Sequence, residues 1–363
     1  MEQKRKPKLI RLLIFIALIL LVASGFYYFS KSRTSDKPAS ATEIKTNSAN
    51  ETPQESKPAE IAKTTFAFGG DLMFDRNVWH KYKDIGLNRI FDNLDIAIFK
   101  NSDIAFANLE GPISAGEIND DYLSGSMNFN FPPETIDTLK YLGLNIVSLS
   151  NNHTMNAGTN GFANTKKVLS ESEIKYSGSQ NDFDSTNIVE LETKIPIAII
   201  TADILVGLDN SEIVNSIKAE VIKGERVIII PHWGVEYQSI HNKTQENMAK
   251  SWIDAGATMV IGGHPHVVQD VQVYNNRPII YSLGNFVFDQ FFSPETQQGL
   301  IISGDIDESS MTLKFSPFTS TNVKPALDTG STKLARIKAI FPDDEEFNSL
   351  KIADDSIKID LTK

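Results

Sequence analysis

The chain contains no cysteine among its 363 residues. That excludes a disulfide framework and any thiolate zinc site. Basic charge is short: 35 Lys and Arg stand against 46 Asp and Glu, a net of −11. The first 63 residues already hold 11 of the basic and 6 of the acidic residues, which leaves 24 and 40 for the rest, a net of −16. Phosphate backbones bind basic stripes, so an acidic body excludes nucleic acid as a partner. Histidine is scarce too, with six in all. Two of these nevertheless flank one proline in IGGHPHVV, residues 261–268. Apolar residues are not lacking: at 41% they suffice for one large domain or two small ones.

Long uncharged apolar runs are absent except at the N-terminus. Lys4, Arg5, Lys6, Lys8 and Arg11 precede residues 12–29, which carry no charge. Eighteen residues span about 27 Å as a helix, near the thickness of a hydrocarbon core. The leading basic residues place segment 1–11 in the cytoplasm and the rest outside the cell membrane, single-pass. A cleaved signal peptide is the competing reading, with an apolar part at 12–22 and small residues Ala23, Ser24 and Gly25 at the cut. Phe26, Tyr27, Tyr28 and Phe29 lengthen the run and look like an interfacial anchor, which favours a retained segment. Residues 30–62 are rich in Ser, Thr, Lys, Glu, Pro and Ala, and their composition predicts a disordered tether.

From residue 64 short apolar runs alternate with amphipathic stretches, which predicts an α/β domain over 64–345 and a C-terminal extension, 346–363, packing on it. Strands are expected at 64–68, 104–107, 145–149, 195–201, 226–230, 258–261 and 278–282. Helices are expected at 133–142, 161–170 and 244–255. Beyond Gly299, LIISGDI, MTLKFSPF and KLARIKAIF read as further strands, and residues 343–363 as a short helix and a last strand.

Polar residues recur where these runs end. FAFGG leads to Asp71, IAFAN to Asn108 and Glu110, NIVSLS to Asn151, Asn152 and His153, RVIIIP to His232, and TMVIGG to His264 and His266. Ligands of α/β sheets bind at the C-terminal strand edge, so these side chains should converge. Carboxylate, amide oxygen and imidazole together suit Mn, Fe or Zn. Glu110 can bridge two cations, and a two-metal site binds phosphoryl groups and activates water. In GGHPH the glycines should permit a tight turn that brings both imidazoles to one cluster. A lone strand-end histidine is more often a packed residue than a ligand, so the weight lies on all five ends together. His80 and His241 fit no strand end and read as surface residues. Arg76 can face an anionic substrate or pair with Asp75 or Glu110. Glu236 and Tyr237 either line the pocket or belong to a plain loop, and Asn285 either bonds the site loops or closes a turn.

GGDLMFDR, ANLEGPIS, LSNNHTMNAG, PHWGVEYQ, GGHPHVVQ and YSLGNFVFDQ resemble, in order, the blocks of the poly-γ-glutamate capsule-synthesis CapA family, within the calcineurin-like metallophosphoesterase superfamily. The resemblance covers residues 64–299. It implies an αββα sandwich of two β-sheets flanked by helices, with one or two divalent ions at the strand ends. It implies Asp71, Glu110, Asn152, His232, His264 and His266 as metal ligands, with Glu110 in place of a bridging aspartate. It also implies His153 as a proton donor to a leaving group. The pattern departs at Met73, where the superfamily has a histidine, and a thioether is a poor ligand for a hard ion. One metal position therefore loses a ligand, which puts ordinary phosphodiesterase activity in question.

Three readings follow. The first is a membrane-tethered subunit in synthesis or export of poly-γ-glutamate or a related anionic polymer, beside a cytoplasmic ligase and a membrane-spanning synthase partner. The second is an exported metal-dependent phosphoesterase or other hydrolase acting on the cell envelope. The third is a scaffold whose metal is structural. The acidic body would repel a polyanion unless bound metal and Arg76 offset the field locally.

Overall fold

Nine strands of one sheet and six of another carry the donors named above to a common edge. The computed structural model describes residues 61–114, 127–341 and 355–363. The expected segments at 1–11 and 12–29, the tether but for its last two residues, and most of the stretch expected to hold a short C-terminal helix lie outside these residues. Among the described residues no helix is long and apolar enough to cross a membrane.

In the first sheet β1 (Thr64–Leu72), β2 (Ile104–Leu109), β3 (Ile146–Ser148) and β4 (Lys175–Ser177) run parallel. Beside β1 lie the short parallel strand β11 (Asn285–Val287) and the antiparallel β12 (Gln298–Ile306). A hairpin continues from β12 into β13 (Ser310–Thr321), which also pairs with β14 (Lys324–Leu327) and β15 (Ser356–Asp360). The second sheet has the order β5 (Ile188–Leu191), β6 (Ile197–Asp203), β7 (Arg226–His232), β8 (Met259–Ile261), β10 (Arg277–Ile280) and β9 (Val271–Tyr274).

Period-two alternation splits the apolar side chains into layers. Phe66, Phe68, Phe106 and Ile146 pack against Ile197, Ile199, Ile228, Ile230 and Ile261 between the sheets. Each such ring or branched chain contributes about 1.5–3 kcal/mol by leaving water. The opposite face of the first sheet presents Ala67, Ala105, Ala107 and Val147 to α1 (Arg76–Tyr82), α2 (Ala97–Lys100), α3 (Thr135–Leu142) and α4 (Gly158–Glu171). The outer face of the second sheet, with Ile200, Val227, Ile229 and Val260, is covered by α5 (Asn210–Lys223) and α6 (Lys243–Asp254). Strands buried on both faces carry no polar alternation, which is why they read as unbroken apolar runs. Helix α6 opens with a capping box between Asn242 and Gln245, and Gly256 follows its end at φ +109°.

Two differences from the expected elements have clear causes. KLARIKAIF is not a strand; it lies in α7 (Gly330–Ile340) and the Phe341 that follows. Leu334, Ile337 and Ile340 recur every three residues, a helical spacing, and Ile337 is the one buried residue of the helix. Helix α5, which the sequence reading did not mark, is capped by Asp209 and stopped by left-handed Gly224.

Candidate metal centre

Asp71 reaches the site through a register break. Phe68 pairs with Phe106 and Asp71 with Asn108, so β1 carries one residue more than β2 over this span. A bulge of this kind re-aims the following side chain. Without it Asp71 would share the face of Ala67, under the helices; with it Asp71 stands beside Asn108, whose Nδ2 donates to Asp71 Oδ1 at 2.8 Å. Gly70 makes the break possible, because a Cβ there would lie 1.9 Å from the Gly284 carbonyl oxygen. Two residues on, Met73 is fully buried in the helix-side core, and its sulfur accepts from the Asp75 backbone N–H at 3.1 Å.

The other donors close around Asp71. Glu110 is fully buried, with Oε1 3.6 Å from His266 Nε2 and 4.0 Å from His153 Nε2. His232 Nε2 lies 2.9 Å from Asn152 Oδ1, and the His232 and His264 ring centroids are 4.8 Å apart. The His264 backbone N–H donates to Asp71 Oδ2 at 3.3 Å. Asp71, Glu110, Asn152, His153, His232, His264 and His266 therefore form one cluster at the strand ends, the floor of the candidate site. Asn108 and Asn151 support it: Asn151 donates to Asn108 Oδ1 at 3.0 Å and to the Leu109 carbonyl at 2.9 Å.

The GGHPH turn is built differently from expectation. His264 and His266 themselves take positive φ, +94° and +59°, while neither Gly262 nor Gly263 does. The glycines serve close approach: a Cβ at Gly262 would lie 2.1 Å from the Tyr281 carbonyl oxygen and 2.4 Å from Trp233 Nε1. Side chains rarely accept such φ values, and clusters of them mark functional sites. Asn285 locks the second ring. Its amide nitrogen donates to Gln290 Oε1 and to the Thr296 carbonyl, both at 2.9 Å, so its oxygen accepts from His266 Nδ1 at 3.0 Å. His266 then carries its proton on Nδ1, and Nε2 offers a lone pair toward Glu110.

Arg76 is engaged elsewhere. Its guanidinium pairs with Asp289, neither Asp75 nor Glu110, and lies 4.9 Å from the centroid of the Phe129 ring. Asp75 instead accepts from the Arg76 backbone N–H. His80 is exposed, as expected, but His241 is not a plain surface residue. It bonds Asp270 through Nδ1 at 2.8 Å and stacks on Tyr281 at 3.8 Å.

The family model of the bacterial capsule synthesis protein PGA_cap matches residues 65–290. The chain belongs to that family. The PGA_cap span contains every donor described above. Among relatives, the capsule biosynthesis protein CapA of Bacillus anthracis is 28% identical over 68% of this chain and 64% of its own length. The PGA biosynthesis protein CapA of Bacillus subtilis is 27% identical, over 65% of this chain and 66% of its own. A probable polyglutamine synthesis accessory protein of Mycobacterium tuberculosis is 24% identical over 53% and 58%. The chain thus spans less than two thirds of the length of each of these relatives.

Electrostatics and orphaned atoms test whether this PGA_cap pocket suits a cation. Glu110 Oε1 and His264 Nδ1 are buried without a hydrogen-bond partner. Such atoms are costly unless something else satisfies them. Burial lifts Asp71 to about 6, and burial together with the Asp71 charge lifts Glu110 well above the ordinary range. Burial drives His232 far down, His264 to about 4 and His266 to about 3. Neutral imidazoles beside two carboxylates that resist ionisation form a set that a divalent cation would relieve on all counts. Two groups of side chains have donor atoms within 4.8 Å of one another: Asp71, Glu110 and His232, and Glu236, His264 and His266. The donor set fits a divalent ion.

Sequence reasoning undervalued three carboxylates. Asp203 ends β6 directly beside His232, its Oδ2 is buried and unpartnered, and burial lifts it to about 7. It closes the run IAIITAD, so the strand-end rule would have found it had the strand not been ended at Thr201. Asp289 stands two residues beyond the end of β11, and its pairing with Arg76 leaves no local mark. Glu236 lies four residues beyond His232 in a loop, where spacing carries no direction.

Proposed function

We propose that this protein takes part in the synthesis or export of a poly-γ-glutamate capsule or related envelope polymer, as a membrane-anchored, extracytoplasmic subunit carrying a metal centre. The family match across residues 65–290 carries the reading, and the capsule and PGA biosynthesis proteins of Bacillus to which the chain is similar support it. Its partners would be the polymer itself, a cytoplasmic ligase and a membrane-spanning synthase subunit. Asp71, Glu110, Asn152, His232, His264 and His266 would hold one or two ions of Mn, Fe or Zn. A bound divalent ion supplies a positive anchor for carboxylate or phosphoryl oxygens and lowers the pKa of water. Glu110 would lie between the two donor groups. His153 donates its Nδ1–H to Asn156 Oδ1 at 2.8 Å and turns an unprotonated Nε2 toward Glu110, so it would serve a leaving group as proton donor only after Nε2 had itself taken up a proton. Arg76, paired with Asp289, would bring a buried ion pair rather than a free positive charge to an anionic substrate.

Deleting the gene should abolish surface polymer, and the wild-type gene should restore it. A His232→Ala copy, or one starting at residue 62, should not. Undiminished polymer in the deletion strain ends this reading.

One observation favours a second reading. His266 and His153 both turn Nε2 toward Glu110 Oε1, at 3.6 and 4.0 Å, an arrangement suited to hydrolysis as well as to binding. An exported phosphoesterase would turn over a generic phosphodiester with added Mn²⁺ and lose that turnover in His264→Ala.

A further inference from the structure

Met73 stands where the resemblance implies a histidine ligand. We infer that the Glu236 carboxylate, with His264 and His266, completes the metal position that Met73 leaves short. The inference rests on reading the pocket as a metal centre. Met73 contributes nothing there: its side chain is fully buried in the helix-side core and its sulfur is occupied by the Asp75 N–H. Glu236 has the opposite placement. A carboxylate oxygen of Glu236 and one ring nitrogen each of His264 and His266 lie within 4.8 Å of one another.

The loop that carries Glu236 is fastened to the histidine turn at both ends. The Trp233 N–H donates to the Gly263 carbonyl at 3.1 Å, and the Tyr237 N–H donates to the Pro265 carbonyl at 2.8 Å. Tyr237 takes φ +63°, a left-handed conformation held by those contacts and by its ring, stacked 6.1 Å from His266. Gln290 Nε2 reaches the Tyr237 hydroxyl at 3.3 Å. A loop with no task in the pocket would not need a strained residue pinned to the turn it faces. His264, whose Nδ1 is buried and unpartnered, belongs to the same group.

Two imidazoles and one carboxylate form a donor set suited to Mn, Fe or Zn. Exchanging a neutral imidazole for a carboxylate also makes the occupied centre one unit more negative. Such a centre favours harder ions and weakens their pull on an anionic substrate.

The test is Mn²⁺ titration of the full chain in detergent, by calorimetry and elemental analysis, with wild type, Glu236→Gln and His232→Ala compared. Wild type should bind two ions, with the electron paramagnetic resonance signal of a coupled pair. Glu236→Gln should weaken one of them about tenfold or more, as losses around a metal site do, and retain the other. Its spectrum should become that of isolated Mn²⁺. Glu236 lies on a half-exposed loop, so the retained ion also reports an intact fold. An isotherm for Glu236→Gln that superimposes on wild type, while His232→Ala loses an ion, overturns the inference and leaves the metal centre standing. No Mn²⁺ bound by wild type overturns both.

Discussion

The floor of the pocket and its rim are held by different physics. The floor is made of strand ends in the middle of two sheets, where backbone meets backbone: the Asp71 N–H donates to the Gly284 carbonyl at 3.1 Å, and that of Gly262 to the Ile280 carbonyl at 2.8 Å. Side chains there have no room to relax, and Asp71 and Glu110 are wholly buried. The rim is made of loops that carry Glu236, Tyr237 and Phe292, and it leaves apolar surface in water: Val235 is 52% exposed and Phe292 65%. An ion held by the floor would therefore be coupled to folding. The rim can change what is bound without changing whether the chain folds.

The largest effect that could break this contrast lies in the floor. Gly262→Ala should cost about 3 kcal/mol or more, since overpacking against the Tyr281 backbone cannot be relieved by a side-chain rotation. Chemical denaturation measures it, and a loss under about 1 kcal/mol would mean that the floor yields as easily as the rim. Next comes the ion. Mn²⁺ at a hundred times its dissociation constant should add about 2.7 kcal/mol at neutral pH. Protons compete for the same carboxylates, and burial lifts Asp71 to about 6. The stabilisation should therefore fade as pH drops below that value, which thermal melts with and without EDTA will show.

Asp203 tests the burial of charge in the same floor. Its pKa is 3.8 in the ordinary range and about 7 in the folded chain. Between those values the native state keeps a proton that the unfolded chain has released, so stability falls as pH rises from about 4 to about 7. In EDTA, Asp203→Asn should melt several degrees above wild type at pH 8, and the gap should narrow toward pH 4. A pH-independent gap would show that the charge is not what burial opposes. Smallest is Tyr237→Phe in the rim. Losing the 3.3 Å contact to Gln290 should cost under about 1 kcal/mol and leave Mn²⁺ affinity unchanged.

Much of the floor was legible because its signal is periodic. Apolar runs such as RVIIIP and TMVIGG end in donors, and the parallel strands that follow from such runs share one C-terminal edge. Asp71, Glu110, Asn152, His153, His232, His264 and His266 were found in that way. The rim had no periodicity to read. Arg76 was weighed against Asp75 and Glu110 but pairs with Asp289, 213 positions away. KLARIKAIF reads as a strand from its apolar content, but Leu334, Ile337 and Ile340 have a helical spacing and lie in α7.

By itself the sequence determined which chemical groups were available and that they would gather at the edge of a sheet, since composition and strand-end position are local properties. Only the tertiary structure decided where each group points. The extra residue before Asp71 turns that carboxylate toward the floor, the left-handed histidines shape the turn expected of their glycines, and Glu236 enters from a loop. Those outcomes depend on backbone pressed against backbone from distant parts of the chain, which no local spacing encodes.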